Sequence, residues 1–218
     1  MTEFRTDEGK ILEAITKKGE MKILVWIIPR LPRWVTPDGL TILGIICAFG
    51  MLAGYALARH ERNFLWLNCF LLVVHWFADS TDGALAKFRK RPRPRYGHYV
   101  DRVCDFITLT CISLGLFLFG IPALNAMLLL IGYALLFVHS LITYQFQGLM
   151  QESFGLFGPT EARIFIFILN ILLFFGLRTA MAWAILAVGA GMILVAAFSI
   201  IKTARVLDRE DRANWPKE

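Results

Sequence analysis

Six long apolar runs, separated by short polar or proline-containing breaks, constrain this chain more than any other feature of its sequence. A run of about 20 apolar residues crosses a hydrocarbon core about 30 Å thick as an α-helix. Helix is the available form because backbone N–H and C=O groups need internal partners where water is absent. The predicted spans are 40–58, 64–86, 98–119, 123–146, 164–177 and 180–203. With 57% hydrophobic and only 18% charged residues, the 218-residue chain is more apolar than ordinary soluble domains. The expected fold is an all-α integral membrane protein with six transmembrane helices.

Three segments are expected. Residues 1–35 form a cytoplasmic or interfacial segment, 36–203 the six-helix transmembrane catalytic domain, and 204–218 a cytoplasmic tail. In the first, Phe4, Ile11, Leu12 and Ile15 recur at roughly helical spacing among charges, and an apolar run from Ile23 to Ile28 ends at Pro29. That pattern is too short to span and predicts an amphipathic helix lying in the interface. The first 20 residues are too polar for a cleavable signal peptide. Six spans put both termini on one side together with the basic Lys87–Arg95 loop, and the Lys/Arg excess marks that side as cytoplasmic. The Arg59–Arg62 loop, basic on the opposite side, runs against this assignment. The net charge of +6 suits anionic headgroups, and a chain without a separate soluble domain is not expected to bind nucleic acid. Cys47, Cys69, Cys104 and Cys111 lack zinc-ligand spacing and read as small packing residues.

Two runs end in a cluster of acids. Asp79-Ser-Thr-Asp82-Gly83-Ala-Leu-Ala86-Lys87 is followed, nine residues later, by Gly97-His-Tyr-Val-Asp101-Arg-Val-Cys-Asp105. Charge at a membrane edge is expensive, and four acids repel one another unless something neutralises them. The spacings of three and four put each aspartate pair on one helix face. A short loop joins the two helix ends, so the faces converge. Hard carboxylate oxygens suit Mg²⁺ or Mn²⁺, and two such ions would polarise a diphosphate and stabilise its leaving group. Gly83, Ala86 and Gly97 leave the helix faces bare for a ligand, and Lys87, Arg89, Lys90, Arg91, Arg93 and Arg95 would draw phosphates to the mouth.

The stretch resembles the signature of the CDP-alcohol phosphotransferases, D-x2-D-G-x2-A-R, then eight or nine residues, then G-x3-D-x3-D. One position departs: Lys87 stands where the family usually has Arg. Thr36-Pro37-Asp38-Gly39-Leu40-Thr41 is similar to the family's P-N-x-[IL]-T opening of its first span, and Gly158-Pro-Thr-Glu161-Ala-Arg163 to a Glu-containing connection in some members. The resemblance implies transfer of a phosphate-linked group from a CDP-linked donor to an alcohol, with release of CMP. It implies that Asp79, Asp82 and Asp101 hold metal and that Asp105, also metal-associated, takes the acceptor's proton. Gly83, Ala86 and Gly97 would make room for the cytidine diphosphate, and Lys87 would contact a phosphate as a point charge. The partners implied are a CDP-linked lipid donor, a small polar alcohol, membrane lipids and a second copy of the chain. The expected location is a bacterial or archaeal plasma membrane, with the site facing the cytoplasm.

The acceptor is not named by these motifs. His139, Ser140, Thr143, Tyr144, Gln145 and Gln147 crowd one half of the fourth span and are expected to line a wet cavity that binds it. Glu161 and Arg163 read equally as a structural salt bridge or as part of that pocket. His75, His98 and His139 lack ligand-like spacing and read as polar lining or packing. Two other readings stay open: transfer of a CDP-linked head group onto diacylglycerol, and a cation transporter with intramembrane aspartates. For the aspartates, the bland alternative is capping and pairing with cations such as Arg89 and Arg102.

Overall fold

The computed structural model describes residues 23–147 and 159–213. All regular structure among them is helical. Residues 23–27 are helical and pass into a 3₁₀ turn at Ile28–Arg30. Six helices follow: α1 (Pro37–Ala58), α2 (Phe64–Phe88), α3 (Pro94–Phe119), α4 (Ala123–Gln147), α5 (Pro159–Phe174) and α6 (Arg178–Ala213). The expected amphipathic helix falls mainly on residues 1–22, outside those described.

Five of the helices are long and apolar enough to cross a membrane. The exception is α5, whose apolar stretch is Ala162–Phe174. Its 16 described residues rise about 24 Å at 1.5 Å each, against a core about 30 Å thick. Among the described residues, the expected all-α membrane fold is thus seen as five spanning-length helices plus one shorter apolar helix. The break lies at Gly176, whose φ of +86° suits a residue without Cβ. At the other end, α6 continues past residue 203 to Ala213, so its boundary is not the change from apolar to charged sequence. An Arg212–Asp208 pair, four apart, supports that last stretch.

Local signals explain the other boundaries. Thr36 caps α1, accepting the Gly39 N–H at 3.1 Å, and Pro37 occupies the first turn, where its missing N–H costs nothing. Gly120 ends α3 with a φ of +109°, and Arg178 donates to its carbonyl from the start of α6. After α2, Arg89 donates to the carbonyls of Pro32 and Val35, which ties the N-terminal segment to the α2–α3 loop. Arg93 pairs with Asp38 in the first turn of α1.

Packing divides the bundle along its length. α1 packs most extensively on α2 and α3, α4 on α6, and α5 on α2. The main apolar core, which includes Met51, Tyr55, Leu65, Leu72, Ile112, Leu116, Leu173 and Ile185, draws on the late half of α1 and α3 and the early half of α2. A smaller cluster of Leu24, Ile28, Leu40, Ala78 and Leu85 sits at the opposite end. Outward-facing Ile42, Ile46, Phe49, Phe70, Leu194 and Phe198 are exposed, as lipid-facing side chains would be.

The α4–α6 contact is backbone on backbone. A Cβ at Gly132 would stand 2.8 Å from the Gly189 carbonyl oxygen, and one at Gly189 would stand 2.7 Å from the Leu129 nitrogen. Neither neighbour is a flexible side-chain tip. Gly189→Val is therefore expected to force the helices apart and cost at least about 1–3 kcal/mol, the usual range for overpacking. Thermal unfolding of the purified protein checks this, and an unchanged midpoint would refute the close approach.

Candidate active site

The site lies at the end of the bundle away from the main core, where α2 finishes and α3 begins. Asp79, Asp101 and Asp105 converge there, with one carboxylate oxygen from each within 4.8 Å of the others. All three are partly buried. A small cavity beside them is lined by Leu40, Thr41, Gly44, His75, Asp79, Asp82, Asp101 and Cys104.

Asp82 lines the same cavity but turns elsewhere. Its Oδ2 accepts a hydrogen bond from Thr41 Oγ1 of α1 at 2.7 Å. Residues three apart on a helix differ in direction by about 60°, enough for neighbours on one face to serve different partners. So Asp79 looks toward α3 and α5, and Asp82 toward α1. Sequence spacing brings both onto one face and does not reveal this division.

Two arginines offset the acids. Arg163 of α5 reaches Asp79 at 2.5 Å, with both side chains largely shielded. Arg102 of α3 lies 3.5 Å from Asp105 and 3.7 Å from Asp101. The pairing expected for Arg102 is present, whereas Arg89 caps carbonyls instead. The Asp79 partner of Arg163 is one that neither sequence reading of Glu161 and Arg163 named. The Glu161 side chain lies outside the described residues.

Beneath the acids, His75 Nε2 meets Thr108 Oγ1 at 2.9 Å, both buried. His75 is the polar lining residue expected from sequence. Thr108, and the contact of Thr41 with Asp82, were not singled out by sequence. Their signal is helical spacing: His75 precedes Asp79 by four, and Thr108 follows Asp105 by three.

Gly83 and Gly97 are exposed, and a Cβ at either would meet nothing within 4 Å. Lys87 is exposed, four residues after Gly83 on α2, and Ala86 is partly exposed between them. On α4, His139, Ser140 and Thr143 are buried, and the Tyr144 ring lies 5.9 Å from His98 in the first turns of α3. Gln145 and Gln147 have side chains outside the described residues.

The family model for CDP-alcohol phosphatidyltransferase matches residues 34–203. The chain belongs to that family. The match covers all the site residues above and bears out the sequence resemblance. Among solved structures, the chain is similar to the phosphatidylinositol phosphate synthase of Mycobacterium tuberculosis. The form with CDP-DAG bound matches at 21% identity and a TM-score of 0.51, covering 90% of this chain and 93% of that one. The form with manganese and citrate matches at 21% identity and a TM-score of 0.55, covering 87% of each. These likenesses support the fold. A further relative is the ceramide phosphoethanolamine synthase of Drosophila melanogaster, 29% identical over 94 residues. That match takes in 39% of this chain and only 23% of the relative's length.

The donor set fits a divalent cation. Three carboxylates on two helices present hard oxygens close enough to share one ion, and like charges this near gain from a cation between them. The division among the four acids is testable. Asp79→Asn, Asp101→Asn and Asp105→Asn should each weaken Mn²⁺ binding by about tenfold or more, and Asp82→Asn by less. Titration followed by electron paramagnetic resonance measures this, and equal losses at all four positions would reject the division.

Proposed function

We propose that this protein transfers a phosphatidyl group from CDP-diacylglycerol to the hydroxyl of a small polar alcohol and releases CMP. The observation that carries the reading is the convergence of three carboxylates beside the bare helix faces at Gly83 and Gly97, in a chain of this family. The M. tuberculosis neighbour with CDP-DAG bound supports the donor.

Asp79, Asp101 and Asp105 would hold Mg²⁺ or Mn²⁺, with Asp82 completing the set from the side of α1. When bound, such ions neutralise the diphosphate and stabilise the departing phosphate oxygen. The residues of the chain do the rest. Gly83 and Ala86 admit the cytidine diphosphate against α2, and Gly97 clears the facing start of α3. Lys87, exposed and one turn beyond Gly83, meets a phosphate oxygen as the donor docks. Asp105 takes the proton of the acceptor hydroxyl as its oxygen attacks the phosphatidyl phosphorus. The new P–O bond forms as the bond to the CMP oxygen breaks, and CMP leaves with that electron pair. Thr143, buried, and Tyr144, whose ring lies beside α3, would help bind the acceptor. The site is read as cytoplasmic from the basic loop beside it, and the chain as a homodimer by family analogy.

A second reading has one observation in its favour. The Drosophila relative's name describes a lipid carrying phosphoethanolamine, which points to head-group transfer onto a lipid alcohol. CMP release from CDP-diacylglycerol and from CDP-ethanolamine, each tested with a panel of acceptors, separates the two.

Asp105→Asn is expected to lower turnover by at least about 10²-fold, the lower range for loss of a general base, with CDP-donor binding largely kept. Wild-type turnover in that variant would remove Asp105 from its role. Gly83→Val should leave thermal stability little changed, since the added side chain meets only open space, and should raise the KM for the donor. An unchanged KM would move the donor away from this face.

A further inference from the structure

We propose that His75 and Thr108 are positioning residues that hold the two carboxylate-bearing helices at the separation a cation requires. The proposal rests on the cation site read above. His75 precedes Asp79 by four residues on α2, and Thr108 follows Asp105 by three on α3. At those spacings each stands one turn beneath its aspartate, on the same face. The pair is therefore a cross-helix tie laid directly under the carboxylate cluster.

Its chemistry is fixed by the hydrogen bonds around it. Thr108 Oγ1 donates to the Cys104 carbonyl at 2.8 Å. A hydroxyl has one hydrogen, so the oxygen meets His75 Nε2, 2.9 Å away, as an acceptor. The imidazole thus carries its hydrogen on Nε2 and donates from α2 to α3. Gly44 of α1 closes over the ring, and a Cβ there would lie 3.9 Å from its Cδ2. With exposures of 4% for His75 and 8% for Thr108, water has little access to compete for the bond.

The acids above need such a tie. Asp79 on α2 and Asp101 and Asp105 on α3 repel across the gap between the helices. The Arg102 ion pairs run within α3, and the Arg163 pair runs from α5 to α2. The His75–Thr108 bond joins α2 to α3 itself. Outer groups that orient metal ligands commonly carry a tenfold to hundredfold share of affinity.

The test is Mn²⁺ affinity of the purified full chain in detergent, measured by electron paramagnetic resonance, with thermal unfolding and steady-state kinetics alongside. Thr108→Val removes the acceptor and keeps the shape. His75→Gln can place an amide nitrogen near the Nε2 position, whereas His75→Asn is too short to reach it. Thr108→Val and His75→Asn are expected to weaken Mn²⁺ by about tenfold and lower kcat, while Thr108→Ser and His75→Gln retain most of the affinity. The donor KM should stay near wild type in all four. A lower unfolding midpoint with unchanged Mn²⁺ affinity in Thr108→Val would reduce the pair to packing and overturn the proposal. So would Thr108→Ser falling as far as Thr108→Val. Should Thr108→Val fail to fold, the contrast between His75→Gln and His75→Asn decides. Absence of Mn²⁺ binding by the wild-type chain would remove the cation site itself, and this proposal with it.

Discussion

Mutual repulsion among Asp79, Asp101 and Asp105 is the constraint on which the rest of this structure depends. At the 4.8 Å limit of their separation, two unit charges repel by about 3.5 kcal/mol at an effective dielectric of about 20. Two of the three pairs, Asp79 with Asp101 and Asp79 with Asp105, cross between α2 and α3 and would push them apart at the end of the bundle where the apolar core is thinnest. The structure answers locally. Arg163 is brought in from α5, Arg102 folds back along α3, and Thr41 draws Asp82 aside to α1. The longer answer is the main core at the far end, which anchors the same helices through Leu65 and Leu72 on α2 and Ile112 and Leu116 on α3. The site is an open, charged end carried on a closed, apolar one.

Much of this was legible in the sequence because it is periodic. Apolar runs separated by Pro, Gly and charge located the first four helices to within a few residues, as with 64–86 against Phe64–Phe88, but not the end of α6. The aspartate spacings placed the acids on adjoining helix ends. One feature escaped for a physical reason. The separation of Asp82 from the other acids depends on a hydroxyl 41 residues away, which no local pattern reports.

The basic loop illustrates how structure divides what composition lumps together. By sequence its six cations are equal candidates for drawing phosphates, with Lys87 favoured by its place in the motif. In the fold, Arg89 is committed to the carbonyls of Pro32 and Val35, and Arg93 to Asp38, with its guanidinium also 4.4 Å from the Tyr96 ring centroid. These two arginines hold the N-terminal segment and α1 against the mouth of the site. A guanidinium suits that work, since its fixed fork of donors engages several carbonyls at once. Lys87 sits on the exposed face of α2 in line with Gly83, and in the proposed reaction its single charge on a long stem would reach a phosphate without demanding one geometry. Lysine at this position is therefore compatible with the proposed chemistry. What it gives up is the bidentate grip of arginine, and orientation of the diphosphate then falls more heavily on the carboxylates and on the ties beneath them that keep α2 and α3 in register.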